Sequence, residues 1–442
     1  MLSQIQSALG AFIWGPPMLA AFLCTGALFT VRSGLFPFRR LPLWIHVTFG
    51  SLLRRQPKTE AGSISQRQAL TSALAACLGT GNIVGVATAL QLGGPGAVFW
   101  MWVSAALGMM TCCAENILGV KYRWKTAEGK WMGGPMAYLE RGLKSKSLAG
   151  IYAALLSLAS FGIGNMTQAN AIAQAAKQSL RVPALATGAV TAGLVALVIC
   201  GGVTRIAKVT EKLIPAITLL FLLACCVVTA KNSHRLPGVL AQILSEAFKM
   251  KSMAGFGIAK AMRYGIARGV FSNEAGLGSS AVIHAAADVK EPAVQGMWGI
   301  AEVCIDTLLL CTVTALTFLC AGPYPGNPTG VALAGLSFAS VFGDWGGHFL
   351  SLAIILFAFA TLTGWSFYGE QGARYLLGER GAKFYRALFI VAIILGCVLR
   401  LELVWDIADI LNGLMAIPNL IGILALNGVA VREMKRYEGL HI

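Results

Sequence analysis

Runs of about twenty apolar residues recur along the whole chain, and a helix of that length spans the hydrocarbon core of a bilayer. The stretches 216–230 and 384–399 are nearly pure examples. Only 12% of the 442 residues are charged, against about 25% in soluble domains. The pattern predicts an all-α polytopic membrane protein with eleven spans, at roughly 10–31, 68–90, 95–120, 148–176, 184–203, 211–230, 255–284, 295–320, 347–369, 384–400 and 402–430. No linker separates a soluble domain, so residues 1–442 form one membrane domain.

The formal net charge of +16 is distributed unevenly. The connections 32–67, 121–146, 203–212, 286–292 and 370–386, with the tail, hold 25 of the 35 Lys and Arg. The positive-inside rule then places the N-terminus outside and the C-terminus in the cytoplasm, in a cytoplasmic (inner) membrane. The basic excess is therefore an orientation signal and implies no nucleic-acid partner. The first span follows no basic segment and reads as a retained helix, not a cleaved signal. Eleven cysteines without a CxxC, mostly inside spans, point to packing and not to disulfides or metal. A Ser-x-x-Gln pattern at Ser63–Gln66 marks a capping box at the entry to the second span, and Leu236–Ser252 has the spacing of an interfacial helix.

Two spans are interrupted. The second carries Gly79, Thr80, Gly81 and Asn82 at its centre, and the seventh carries GVFSNEAGLGSS, Gly269–Ser280. They lie about 190 residues apart, each opening a block of five spans: 68–230 and 255–430, with 10–31 as an extra N-terminal helix. An odd number of spans per block inverts the second relative to the first, the arrangement of an inverted-repeat transporter with its site at the breaks. In hydrocarbon a broken helix is tolerated only where it lines a cavity or is buried in protein. The N–H groups that open a half-helix suit a carboxylate, and the carbonyls that close one suit Na⁺ or an ammonium group. Two facing breaks would hold both ends of a zwitterionic amino acid.

At these residues the chain resembles the alanine/glycine:cation symporters. The matching stretches are Gly79–Met109, Gly133–Leu143, Gly269–Ala287, Gly364–Gln371 and Asn412–Leu420. The resemblance implies a leucine-transporter-like five-plus-five fold and uptake of a small neutral amino acid coupled to Na⁺ or H⁺, with no organic cofactor. A glutamine or serine carrier is the alternative substrate reading. Gly79, Thr80 and Gly81 would meet the carboxylate, and Phe271, Ser272 and Asn273 the amino group and lid. Gln168 and Trp365 resemble the family's side-chain contacts, Trp365 as a pocket lid. A sodium ion would sit among the carbonyls of Ala75 and Leu78 and the side chains of Thr361 and Thr363. Asn82 would either cap its half-helix or serve a second cation. Cys112 and Cys113 stand where the family commonly has a lysine and an aromatic, and Ala137 where it has a tyrosine; these bear on gating.

Carboxylates inside spans are functional candidates. Glu274 is expected in the first turn of the second half-helix, as a gate pair with Arg67 or Arg205 or as a titrating group. Glu302 and Asp306 can line a seam facing the break. Glu115, Glu370, Asp406 and Asp409 are expected near solvated span ends as anchors. Arg263 and Arg268 form an outer gate or snorkel. No HExxH motif or Ser–His–Asp constellation supports an enzyme, and no repeated pore ring supports a channel. A monomer suffices for this mechanism, and the oligomeric state is open.

Overall fold

The computed structural model describes residues 10, 13–51, 63–250, 257–322, 324, 330–399 and 402–440. Residues 11, 12, 255, 256, 400 and 401, which border expected spans, and 251 and 252 of the expected interfacial helix lie outside the described residues. The architecture is all-α, apart from one antiparallel two-strand hairpin pairing Trp124–Lys125 with Trp131–Met132.

The helices run α1 (Pro16–Arg32), α2 (Gln66–Cys77), α3 (Val84–Gly93), α4 (Gly96–Lys121), α5 (Lys146–Leu180), α6 (Ala184–Ile199), α7 (Gly202–Lys231) and α8 (Leu236–Ala247). They continue as α9 (Ile258–Asn273), α10 (Ser279–His284), α11 (Pro292–Ala321), α12 (Gly330–Phe342), α13 (Asp344–Val398), α14 (Glu402–Ala425) and α15 (Asn427–Gly439). Among the described residues six helices are long and apolar enough to cross a membrane, or seven when α2 and α3 count as one bent span. α13 covers two expected spans. It leaves helical geometry at Gly378, where φ is 69° and ψ −164°, so the chain folds back without a loop. α12 is not among the expected elements, because thirteen apolar residues fall short of a span.

The capping box lies two residues later than expected. Ser65 Oγ accepts from Gln68 N and Ser65 N donates to Gln68 Oε1, both at 3.1 Å. Ile64 is instead drawn into a strand-like pairing, donating to Ala286 O (3.1 Å) and accepting from Asp288 N (2.7 Å). A residue committed to extended pairing cannot open a helix, so the cap moves downstream.

Most of the basic connections meet at one end of the bundle. Arg39 and Arg40 pair with Glu438, Lys121 with Glu433, Lys130 with Glu379, Arg436 with Glu291 and Arg67 with Glu211. Arg123 closes the group by donating to the carbonyls of Ala285, Ala287 and Val289.

Candidate functional site

The first break follows from where the helix ladder of α2 stops. The Gly79 N–H turns back to Cys77 O at 2.9 Å, so the Ala75 carbonyl loses its partner four residues on. Leu78 leaves helical geometry at ψ 75°, Thr80–Asn82 form a single tight turn, and α3 departs at 62° to α2. A side chain at Gly79 would lie 2.7 Å from Thr361 Oγ1 and 3.5 Å from Gln168 Oε1, so only glycine lets its backbone approach these groups. Thr80 Oγ1 donates to Gln168 Oε1 at 3.3 Å, and the Phe271 ring lies 3.8 Å from the place of a Gly81 side chain. Gly79, Thr80, Gly81, Gln168, Phe271 and Thr361 therefore form one cradle.

The second break spans 274–278. Glu274, Gly276 and Gly278 have positive φ of 56°, 94° and 76°, a run that glycine makes tolerable. Asn273 holds one side, accepting from Ala275 N through Oδ1 and donating to Thr307 Oγ1, both at 3.1 Å. Asn419 Nδ2 donates to Gly276 O (2.8 Å) and to Glu115 Oε1 (2.5 Å), while Tyr152 O–H donates to Leu277 O at 2.9 Å. The loosened backbone is thus satisfied by Asn273 and by side chains from two other helices, as hydrocarbon requires.

The two breaks meet at Asp306. Its Oδ1 accepts from Asn82 Nδ2 (2.6 Å) and Ser272 Oγ (3.0 Å), and its Oδ2 from Thr307 Oγ1 (2.7 Å). Asn82 Nδ2 also donates to Ser272 Oγ at 3.0 Å, while Asn82 Oδ1 is buried without a hydrogen-bond partner. Asn82 makes no cap to its half-helix; the Asp306 carboxylate claims its amide first. Both α5 and α11 contain π turns, at Gly162–Met166 and Cys304–Cys311. Such turns commonly mark functional positions in helices. One precedes Gln168, and the other carries Asp306 and Thr307. Thr307 and Asn419 escape sequence reasoning, because nothing local distinguishes them from ordinary polar residues in a span.

Several expected roles change. Glu274 closes α9 as its left-handed terminus and does not sit in the first turn of α10. Its carboxylate accepts from Ser279 Oγ. Arg67 pairs instead with Glu211, and Arg205 donates to Leu197 O at 2.7 Å; both lie at the surface, whereas Glu274 is buried. Trp365 is buried against Gly164, whose missing side chain would lie 2.2 Å from Trp365 Cβ. Glu115 is no solvated anchor, since it is buried beneath Asn419. Glu370 forms ion pairs with Arg374 and Arg386 (2.5 and 2.8 Å). Arg268 lies 5.5 Å from the centre of the Phe271 ring and Arg263 5.7 Å from that of Tyr264. Cys112 donates to Glu302 Oε2 at 3.7 Å, and His284 Nε2 meets the same oxygen at 3.1 Å. Where the resemblance implies lysine, Glu302 therefore has a histidine and a thiol for company. Thr361 and Thr363 donate back to Phe357 O (3.1 Å) and Ala360 O (2.7 Å). Gly364 packs where its side chain would lie 2.9 Å from Ala76 N, with the two threonines on either side.

A cavity of about 750 Å³ reaches Thr80 from one end of the bundle, lined by Asn170, Gln174, Gln178, Asp344 and Ser351 among others. It gives a small polar solute a path to the first break.

The chain is 43% identical over 444 residues to the sodium/alanine symporter AgcS of Methanococcus maripaludis, covering 98% of this chain and 97% of that protein. It is 36% identical to a probable sodium/glutamine symporter, GlnT, of Bacillus subtilis, over 99% of this chain and 91% of the relative. Its fold resembles that of a Na⁺-coupled sialic acid symporter solved in a substrate-bound outward-open state, with TM-score 0.52, 13% identity, and 97% and 86% of the two chains covered. The model of the sodium:alanine symporter family matches residues 1–441, and the chain belongs to that family.

Proposed function

We propose that the protein is a secondary active symporter that imports an alanine- or glycine-sized neutral amino acid with Na⁺ across the cytoplasmic membrane. The observation that carries this reading is the Asp306 junction: a buried carboxylate and the orphaned Asn82 Oδ1 lie where two broken helices meet. No Lys or Arg pairs with Asp306 among the described residues. A buried charge left unpaired costs several kcal/mol, so a cotransported cation is the natural counter-charge. Oxygen ligands of this kind suit Na⁺. The amino acid's carboxylate lies at Gly79, Thr80 and Gly81, with Gln168 and Phe271 beside it and Ser272 and Asn273 shaping the amino-group side. The match to a sodium/alanine symporter supports alanine, and the match to GlnT keeps glutamine as the second substrate reading.

A further Na⁺ site uses the released Ala75 carbonyl and the Leu78 carbonyl with Thr363, while Thr361 takes the amino-acid side. The two threonines project about 160° apart around α13, so their substitutions separate. Thr361 borders Gly79 and Gln168, and Thr361→Ala is expected to raise the alanine KM about tenfold. Thr363→Ala is expected to raise the Na⁺ half-saturation by a similar factor at unchanged alanine KM. Identical responses in an uptake assay with both ligands varied would dissolve the distinction.

We assign the architecture as eleven helices: α1, then five-helix repeats over 68–230 and 255–430, with the N-terminus outside. The paired breaks and the clustering of basic connections at one end support this. Rocking of α2–α3 and α9–α10 against the remaining helices gives alternating access, with Na⁺ favouring the outward state. The cavity leading to Thr80 is the outer path. Arg67–Glu211 and the Trp298 indole bonded to Gln66 Oε1 (3.0 Å) close the other end.

The test is uptake of labelled alanine, glycine, serine and glutamine into proteoliposomes, with Na⁺ and pH gradients imposed separately. Saturable alanine uptake driven by inward Na⁺ is the expected result. Uptake indifferent to both gradients removes the symport reading.

A further inference from the structure

A second cavity, of about 690 Å³, opens between α2 and α7, and none of the cradle residues lines it. Its walls are apolar, formed mainly by Leu70 and Leu74 of α2 and by Ile214 and Leu219 of α7. Leu219 is 59% exposed, and Leu220 and Leu223 beside it are exposed too, so the groove continues into the apolar outer surface of the bundle. At its mouth Arg67 and Lys212 outnumber Glu211. Glu211 is engaged by Arg67 and Gln68, while Lys212 is exposed and has no ion-pair partner among the described residues.

Two further features lie along this groove. Pro215 cannot donate a backbone N–H, so the Glu211 carbonyl one turn earlier is left without its helical partner. Thr218 is 8% exposed, lines the groove, and its Oγ1 has no hydrogen-bond partner. An apolar trough with a basic mouth and a polar step inside matches a phospholipid in shape and charge. Basic pockets between spanning helices are established sites for anionic headgroups.

We propose that this groove binds one anionic phospholipid, its phosphate at Lys212 and Arg67, its ester oxygens near Thr218, and an acyl chain along Leu70, Leu74 and Leu219. The site rests on the membrane reading of the fold and not on the identity of the amino acid carried. Its consequence is regulatory, because one wall is α2, the half-helix that ends at the first break. A lipid wedged between α2 and α7 resists the movement of α2, so occupancy sets the rate of transport without touching the cradle.

The test uses the full-length protein in neutral detergent, mixed with dioleoylphosphatidylglycerol or dioleoylphosphatidylcholine and examined by native mass spectrometry. One phosphatidylglycerol retained per chain, in preference to phosphatidylcholine, is expected. Lys212→Ala is expected to weaken that retention about fivefold, the worth of one lysine near an anionic lipid. Thr218→Phe, which fills the groove, abolishes it, and Lys435→Ala on the basic tail leaves it unchanged. Circular dichroism and gel filtration confirm that each variant remains folded. Equal retention of the two lipids marks an unselective bilayer contact and overturns the proposal, as does retention indifferent to both Lys212→Ala and Thr218→Phe. Because the readout is lipid retention, a failed uptake assay leaves it standing.

Discussion

Asp306→Ala abolishes uptake, by at least a hundredfold, and Asp306→Asn separates the reasons. The carboxylate is fully buried and takes hydrogen bonds from Asn82, Ser272 and Thr307. Hydrogen bonds to a charged group contribute about 1.5–3 kcal/mol each, so removing those from Asn82 and Ser272 loosens both broken helices from α11, the second then held by Asn273 on Thr307. The alanine variant also leaves Asn82 and Ser272 without their common acceptor, which is costly in a buried site. Asparagine preserves the shape and an acceptor oxygen while deleting the charge. The fold is then expected to survive, because the amide keeps an acceptor for Asn82 and Ser272. What asparagine cannot supply is the charge that a cotransported cation neutralises. Asp306→Asn is therefore expected to raise the Na⁺ half-saturation more than tenfold and to flatten the dependence of alanine uptake on the Na⁺ gradient. A wild-type Na⁺ response in that variant would take Asp306 out of the cation site and leave it a purely structural clasp.

The parts of this site that were legible in the sequence were those where residue type contradicts environment. Glycines and an asparagine inside an apolar run forced a break, and the first break lies at Gly79–Asn82 as the pattern required. Its partners across the bundle were less visible. Gln168 is recognisable only through its family motif, and Asn419 and Thr307 look like any polar residue in a span. Glu274 illustrates a different limit. Its position after Asn273 suggests an N-terminal helical carboxylate, but α9 runs on through Asn273, the left-handed conformation at Glu274 ends it there, and α10 opens only at Ser279. Helix phase carries the same lesson for the π turns. Each inserts one residue into the turn and rotates the side chains beyond it, so a wheel drawn with 3.6 residues per turn misplaces Gln168 and Asp306. The capping box failed for a long-range reason, since Ile64 is held by Ala286 and Asp288 more than two hundred residues away.

Trp365→Ala carries the second large effect, and it acts through packing. Trp365 is 1% exposed, its ring lies edge-on to Tyr368 at 5.5 Å, and its Cβ occupies the place a Gly164 side chain would take. Truncating a buried tryptophan costs about 3–5 kcal/mol through lost contacts and the cavity left behind. Alanine uptake is expected to fall below about a twentieth of wild type while the protein still inserts, because a small substrate must be held without slack. Gly164→Val should produce the same loss by the opposite route, since an added side chain at that position displaces Trp365. The conservative Trp365→Phe distinguishes a selectivity wall from a mere strut. It keeps most of the packing but shortens the ring, so glutamine should compete with labelled alanine better than it does in the wild type. If Trp365→Phe left competition by glutamine unchanged while Trp365→Ala still lost uptake, the tryptophan would be holding the helices together without measuring the substrate.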